Sequence, residues 1–124
     1  MPPPRVLVVE DETDLAKTCE RLLARIGYDV ICATTVAEGV RRIRDDDLAA
    51  VVADLRLPDG SGIDVVFAAQ QTRLPIPVIV VTGFLSAASR DAALAAGAAA
   101  VLTKPFPARA LTDAVSAVAR SSPT

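Results

Sequence analysis

Five polar residues each follow a short apolar run, and their types suit chemistry on a phosphoryl group. They are Glu10, Asp11, Asp54, Thr82 and Lys104. Three carboxylates brought together repel one another, by about 4 kcal/mol per pair at ~4 Å and an effective dielectric constant of ~20. Such a cluster either takes up protons or binds a cation. Oxygen ligands that leave room for water suit Mg²⁺, so these residues predict a magnesium site.

A carboxylate can also act as a nucleophile and form an acyl phosphate. We expect Asp54 to be that nucleophile, because Lys104 could offset the charge of the phosphoryl oxygens and Thr82 could donate a hydrogen bond. Each of these residues also has an ordinary structural explanation, such as an acidic helix start or a turn aspartate. The hypothesis therefore requires a fold that brings the side chains to one place.

The predicted secondary structure decides whether these side chains meet. Short β-branched runs predict strands at 5–9, 28–33, 48–53, 77–81 and 99–103. Apolar residues at helical spacing predict a helix after each strand, at 15–26, 36–43, 63–70, 86–96 and from Pro107 onwards. Thr35 and Glu38 predict a capping box at the second helix, and residues 57–62 predict a loop. This alternation predicts an α/β fold with parallel strands and right-handed crossovers.

Five βα units are too few for the eight-unit barrel, which leaves an open, doubly wound (βα)5 sheet. We expect the flavodoxin-like strand order 2-1-3-4-5, by analogy with known folds of this class, since the residues alone leave the order open. Ligands of such sheets bind at the carboxyl ends of the strands, near the reversal between strands 1 and 3. All five polar residues end strands there, and this coincidence is the strongest signal in the sequence.

The composition narrows the class of protein. The chain has 124 residues, and we expect one domain at 5–120 with a tail or the start of a linker at 121–124. Aromatic residues make up 3% and the net charge is −2, which argues against direct nucleic-acid binding. Two cysteines, both expected to be buried thiols, and no histidine argue against a zinc site. Without a signal-peptide pattern or an apolar run of ~20 residues, we expect a soluble, cytoplasmic protein.

Four motifs resemble those of one family, the receiver domain of bacterial two-component response regulators. Val6–Glu12 is similar to its first strand with the acidic pair, and Asp54–Gly62 to its phosphoacceptor segment. Val80–Gly83 is similar to its switch-threonine segment, and Gly97–Ala98 with Leu102–Phe106 to the signature around its fifth strand. The resemblance covers nearly the whole chain, with the motifs in order and at the family's spacing.

The resemblance implies that a histidine kinase or a histidine phosphotransfer protein phosphorylates Asp54. It implies that Mg²⁺ is held by Glu10, Asp11, Asp54 and the backbone carbonyl of Arg56. It also implies a domain with no conventional enzyme activity, which catalyses its own phosphorylation and slow autodephosphorylation. The lack of histidine in this chain agrees with a phosphoryl donor on another protein or domain.

The resemblance further implies how the signal is passed on. Lys104 would contact the phosphoryl group, with a cis bond before Pro105, which only proline tolerates readily. Thr82 would move toward the phosphoryl group and switch a surface around helix 4, strand 5 and helix 5, to which an effector domain or protein responds. The chain departs from the family at Val101, where most members carry tyrosine or phenylalanine. Valine is stiff at χ1 and has no ring to swing, so the coupling to the surface is in question.

Three other functions compete with this one. A flavodoxin-like cofactor binder would need phosphate-cradling residues after strand 1, where the acidic Glu10 and Asp11 would repel a phosphate. A metal-dependent phosphatase with an aspartate nucleophile would usually carry a second acid at the position of Arg56. A degenerate receiver, which binds proteins without being phosphorylated, is the serious rival, because Val101 leaves room for it.

Overall fold

Strands and helices alternate along the chain as the apolar pattern predicts. The computed structural model describes residues 2–83 and 86–120, so the predicted tail at 121–124 lies outside the described residues. The strands are β1 (Arg5–Val9), β2 (Asp29–Ala33), β3 (Ala50–Asp54), β4 (Arg56–Leu57), β5 (Gly60–Ser61), β6 (Val78–Thr82) and β7 (Ala100–Thr103). The helices are α1 (Thr13–Arg25), α2 (Val36–Asp45), α3 (Gly62–Gln70), α4 (Ala87–Ala96) and α5 (Ala108–Val118).

The central sheet has five parallel strands in the order β2-β1-β3-β6-β7. Since β4 and β5 belong to a separate small hairpin, this is the predicted order 2-1-3-4-5, which is confirmed. Alternate residues of β1 face opposite layers of core, so Leu7 packs with the apolar faces of α2, α3 and α4. Val8 packs with those of α1 and α5. The inner strands β1, β3 and β6 are therefore covered on both faces, which explains their continuous β-branched composition.

The segment after β3 differs from the predicted loop. Arg56 pairs with Ser61 and Leu57 with Gly60, so it forms a two-stranded antiparallel hairpin. The hairpin is too short for an alternating pattern to reveal it in the sequence. Its last residue, Ser61, caps the start of α3, because the Ser61 hydroxyl accepts a hydrogen bond from the backbone N–H of Ile63.

The predicted capping box at α2 forms in one half only. The Thr35 hydroxyl accepts a hydrogen bond from the backbone N–H of Glu38 at 3.1 Å, as expected. The Glu38 carboxylate accepts from the N–H of Thr34 at 2.9 Å, one residue before the predicted donor. At the end of α4, Gly97 adopts φ +113°, a left-handed conformation that stops the helix at low steric cost.

The two cysteines lie in different environments, and the prediction that both are buried is wrong for Cys32. Cys19 is buried between α1 and the sheet. Cys32 is exposed on β2, the edge strand, where its thiol lies 3.6 Å from the Glu20 carboxylate. An apolar neighbourhood in sequence does not ensure burial at a sheet edge. None of the described helices is long and apolar enough to cross a bilayer.

Candidate functional site

The parallel sheet delivers its polar strand ends to one edge. Asp54 and Thr82 are the last residues of β3 and β6, while Glu10 and Lys104 follow β1 and β7 directly. The backbone fixes these positions, because Glu10 N–H donates to the carbonyl of Ala33 at 2.9 Å. In the same way, Lys104 N–H donates to the carbonyl of Thr82 at 2.7 Å. Residues far apart in sequence thus share one short rim.

Three carboxylates meet at this rim. Glu10, Asp11 and Asp54 each offer an oxygen atom, and these atoms all lie within 4.8 Å of one another. Glu10 is 2% and Asp54 7% exposed, whereas Asp11 faces solvent. An all-oxygen donor set that is open on one side fits a hard cation such as Mg²⁺, which keeps several waters. The structure therefore brings together the three acidic side chains that the sequence singled out.

Lys104 joins two of the three acids. Its ammonium nitrogen Nζ lies 2.7 Å from Oε1 of Glu10 and 3.0 Å from Oδ2 of Asp54. The other oxygen of Asp54, Oδ1, accepts a hydrogen bond from the backbone N–H of Arg56 at 3.1 Å. Both oxygens of Asp54 therefore have a donor, and the carboxylate is held in a defined orientation.

Burial acts in opposite directions on the pKa values of the acid Glu10 and the base Lys104. It raises the pKa of Glu10 to about 7, and the hydrogen bond from Lys104 offsets only part of that rise. Nearby Asp54 raises the Glu10 pKa further, because two adjacent negative charges repel. Partial burial alone would lower the pKa of Lys104, but the bonds to Glu10 and Asp54 outweigh it and leave that pKa raised. Lys104 thus stays cationic while Glu10 is poised to titrate.

The raised pKa of Glu10 predicts a pH-dependent stability of the metal-free chain. As the pH rises toward 7, unfolded Glu10 has already lost the proton that the folded chain still binds, so deprotonation favours unfolding. The free energy of unfolding is expected to fall by about 2 to 3 kcal/mol between about pH 5 and about pH 8. Urea denaturation of the parent and of Glu10→Gln at each pH, in buffer that contains a chelator, measures this change in the free energy of unfolding.

Glu10→Gln should flatten this pH dependence, because glutamine does not titrate. The chain has no histidine, so few other side chains change charge in that range. If both proteins lose stability equally as the pH rises, a group other than Glu10 is responsible.

The remaining predicted residues surround this cluster. Thr82 is 1% exposed and pairs with Thr103 across the sheet. The peptide bond between Lys104 and Pro105 is cis. Val101, the residue at the aromatic position, pairs with Val80 and is half-buried against the core beneath α2, α3 and α4. A small aliphatic side chain therefore packs against the core at this position of β7.

Two residues of the predicted loop make contacts that the sequence pattern did not indicate. Gly62 N–H donates to the carbonyl of Leu55 at 2.8 Å, and a Cβ atom on Gly62 would overlap the carbonyl oxygen of Asp54. Asp59 accepts hydrogen bonds from the start of α2. The sequence pattern assigned both residues only to a turn. The run of turn residues was the one signal that pointed to Gly62, and nothing local pointed to the contact of Asp59.

Known proteins resemble this chain along most of its length. A sequence model described as "Response regulator receiver domain" matches residues 6–116. The transcriptional regulatory protein PrrA of Mycobacterium tuberculosis is 37% identical over 117 residues, which is 94% of this chain and 50% of that protein. The cell cycle transcriptional regulator CtrA of Caulobacter vibrioides is 32% identical over 118 residues, 95% of this chain and 51% of CtrA. The chain thus spans about half the length of these relatives.

Solved structures agree with the sequence comparison. The non-phosphorylated HemR receiver domain of Leptospira biflexa superimposes with a TM-score of 0.85 at 31% identity, covering 98% of both chains. A CheY-like response regulator receiver domain of Methanospirillum hungatei gives a TM-score of 0.87 at 30% identity, covering 93% of this chain and 92% of that one. Sequence and fold are therefore similar to one family.

Proposed function

The chain belongs to the response regulator receiver domain family, and we propose that its Asp54 accepts a phosphoryl group from a histidine kinase or a histidine phosphotransfer protein. The observation that carries this proposal is the contact of Lys104 with Asp54 and Glu10 in one cluster at the rim of the sheet. A lone strand-end aspartate would have no such partners. Phosphoryl transfer depends mainly on positioning and charge, and this cluster supplies both.

The transfer requires the protein to form only one covalent bond, between Asp54 and phosphorus. A carboxylate oxygen of Asp54 forms a bond to phosphorus while the phosphorus–nitrogen bond of the donor phosphohistidine breaks. The electron pair of the broken bond returns to the imidazole nitrogen of the donor. Lys104 supplies a positive charge next to Asp54, and it offsets the charge that an added phosphoryl group brings. The buried Thr82 supplies a hydroxyl donor.

The donor atoms at the rim fit Mg²⁺, and in this proposal Glu10, Asp11, Asp54 and the backbone carbonyl of Arg56 hold it. Three carboxylates with oxygens within 4.8 Å of one another have a strong electrostatic reason to bind a divalent cation. When bound, Mg²⁺ neutralises charge on the phosphoryl oxygens. Because Lys104 already pairs with Glu10 and Asp54, Asp11 is the acid most open to the ion.

The test of this function is direct phosphorylation in solution. Treating the chain with acetyl phosphate and Mg²⁺ is expected to add one phosphoryl group, which intact-mass measurement detects, and a chelator should prevent it. If no phosphoryl group is added even when Mg²⁺ is present, the rival function is favoured, a degenerate receiver that binds proteins without phosphorylation. A cytoplasmic location, the domain limits 5–120 and the downstream effector remain parts of the proposal.

Val101 lies where the effect of phosphorylation is expected to pass from the site to the protein surface. In this proposal Thr82 responds to the phosphoryl group, and the response reaches the surface of α4, β7 and α5 without an aromatic rotamer change. Val101→Tyr is expected to alter binding of an effector more than the rate of phosphorylation, because Val101 packs against the apolar core beneath α2, α3 and α4 and its side chain has no polar atom to offer the acids. Effector affinity and acetyl phosphate kinetics, measured on the same variant, check this. Equal fold-changes in both would contradict a separable readout.

A further inference from the structure

Asp59 links the hairpin that follows the phosphoacceptor to a different helix. It lies at the turn between β4 and β5, and its Oδ1 accepts a hydrogen bond from the backbone N–H of Val36 at 2.7 Å. Its Oδ2 accepts from the N–H of Ala37 at 3.0 Å. These are the first two residues of α2, 23 and 22 residues away along the chain. The two bonds lower the pKa of Asp59, so it is ionised at neutral pH.

The start of α2 therefore has two separate caps. The first N–H groups of a helix have no partner within the helix and need one from elsewhere. Thr35, within the same segment, serves the N–H of Glu38. Asp59 serves the two that precede it, from another part of the chain. Only the second cap ties the helix to the hairpin, so the two caps can be distinguished by mutation.

The hairpin carries backbone groups of the site at its other end. Arg56 N–H donates to Oδ1 of Asp54, and Arg56 pairs with Ser61 across the hairpin. The base of the hairpin is closed by the bond from Gly62 N–H to the Leu55 carbonyl. Its tip is exposed, and the two hydrogen bonds of Asp59 tie that tip to the start of α2. The hairpin is therefore attached to α2 at its tip and carries Arg56 at its base.

We propose that Asp59 is a positioning residue of the phosphoacceptor site, which holds the β4–β5 hairpin against α2 and so fixes the backbone of Arg56 beside Asp54. This inference rests on the proposed function, because it takes the Arg56 carbonyl as a ligand of Mg²⁺. Asp59 itself is not one of the proposed ligands, because both of its carboxylate oxygens accept from the start of α2. Its effect is to reduce the conformational freedom that the Arg56 backbone loses when a cation binds.

The experiment is a titration of the unphosphorylated chain with Mg²⁺ alone, in which the amide chemical shifts report binding. Asp59→Ala is expected to raise the Mg²⁺ dissociation constant by up to about tenfold, because groups bonded directly to a metal ligand contribute about 10- to 100-fold and Asp59 acts through the hairpin. Asp59→Asn keeps one acceptor oxygen and should raise the dissociation constant by a smaller factor. The asparagine variant also carries the test if the alanine variant does not fold.

Thr35→Ala is the matched control, since it removes a cap from the same helix end but leaves the hairpin attached. It should lower the thermal midpoint and leave the Mg²⁺ dissociation constant within about twofold of the parent. Two results would overturn the inference: unchanged Mg²⁺ affinity in Asp59→Ala, or an equal loss in Thr35→Ala. If the parent itself bound no Mg²⁺, the proposed metal site would fail as well, which the parent titration alone reveals.

Discussion

Asp54→Asn is expected to abolish the addition of a phosphoryl group from acetyl phosphate while the chain stays folded. The amide nitrogen is a poor nucleophile, and the amide oxygen lacks the charge of the carboxylate. The fold should persist, because asparagine keeps an oxygen that can accept from Arg56 N–H, and Lys104 retains Glu10 at 2.7 Å. We expect the free energy of unfolding to change by no more than about 1 kcal/mol. Intact mass and urea denaturation measure the two effects.

A matched control for this change is Asp113→Asn, on the exposed side of α5. It removes one carboxylate of the same type at a distance from the rim, and phosphorylation should be unaffected. Peptide mapping of the phosphorylated parent should locate the modification at Asp54. A phosphoryl group that still appeared on the Asp54→Asn protein would refute the assignment of the acceptor.

Lys104→Met is expected to slow phosphorylation by acetyl phosphate about 10²- to 10³-fold, the loss typical when one charge-stabilising donor is removed from a reaction site. The Nζ atom of Lys104 lies 3.0 Å from Oδ2 of Asp54, and the Lys104 side chain is only 18% exposed. Solvent therefore offsets little of the lost charge. Methionine keeps the length and apolar stem of lysine without the ammonium group. Time courses of phosphoprotein formation at fixed Mg²⁺ measure the rate.

The same substitution should lower stability in a pH-dependent way. Removing one partner of a buried ion pair costs about 3 to 5 kcal/mol, and partial exposure of Lys104 reduces this to about 2 kcal/mol near pH 8. The loss should be smaller near pH 6, where Glu10 can take up a proton instead. Lys17→Met, which changes the only other lysine, is the control, because Lys17 is exposed on α1. A parental rate in Lys104→Met would rule out the proposed charge role.

Most of the sheet could be predicted because strands covered on both faces leave a local signal. The apolar runs located all five strands of the central sheet, β1, β2, β3, β6 and β7, to within two residues. The weaker signals failed where tertiary contacts decided the outcome. Cys32 is exposed because its strand is at an edge of the sheet. The bond from Thr34 N–H to Glu38 is a local contact, and the capping pattern missed its donor by one residue. The hairpin at β4 and β5 is two residues per strand, too short for a pattern.

The sequence by itself determined the fold class and which polar side chains end the strands, since both follow from the local order of apolar and polar residues. It therefore identified Glu10, Asp11, Asp54, Thr82 and Lys104 as residues of one rim. Only the tertiary structure decided which atoms meet there. The double contact of Lys104, the raised pKa of Glu10 and the link from Asp59 to α2 all depend on burial and on distances between residues far apart in the chain. No local pattern encodes such distances, because packing of the whole domain sets them.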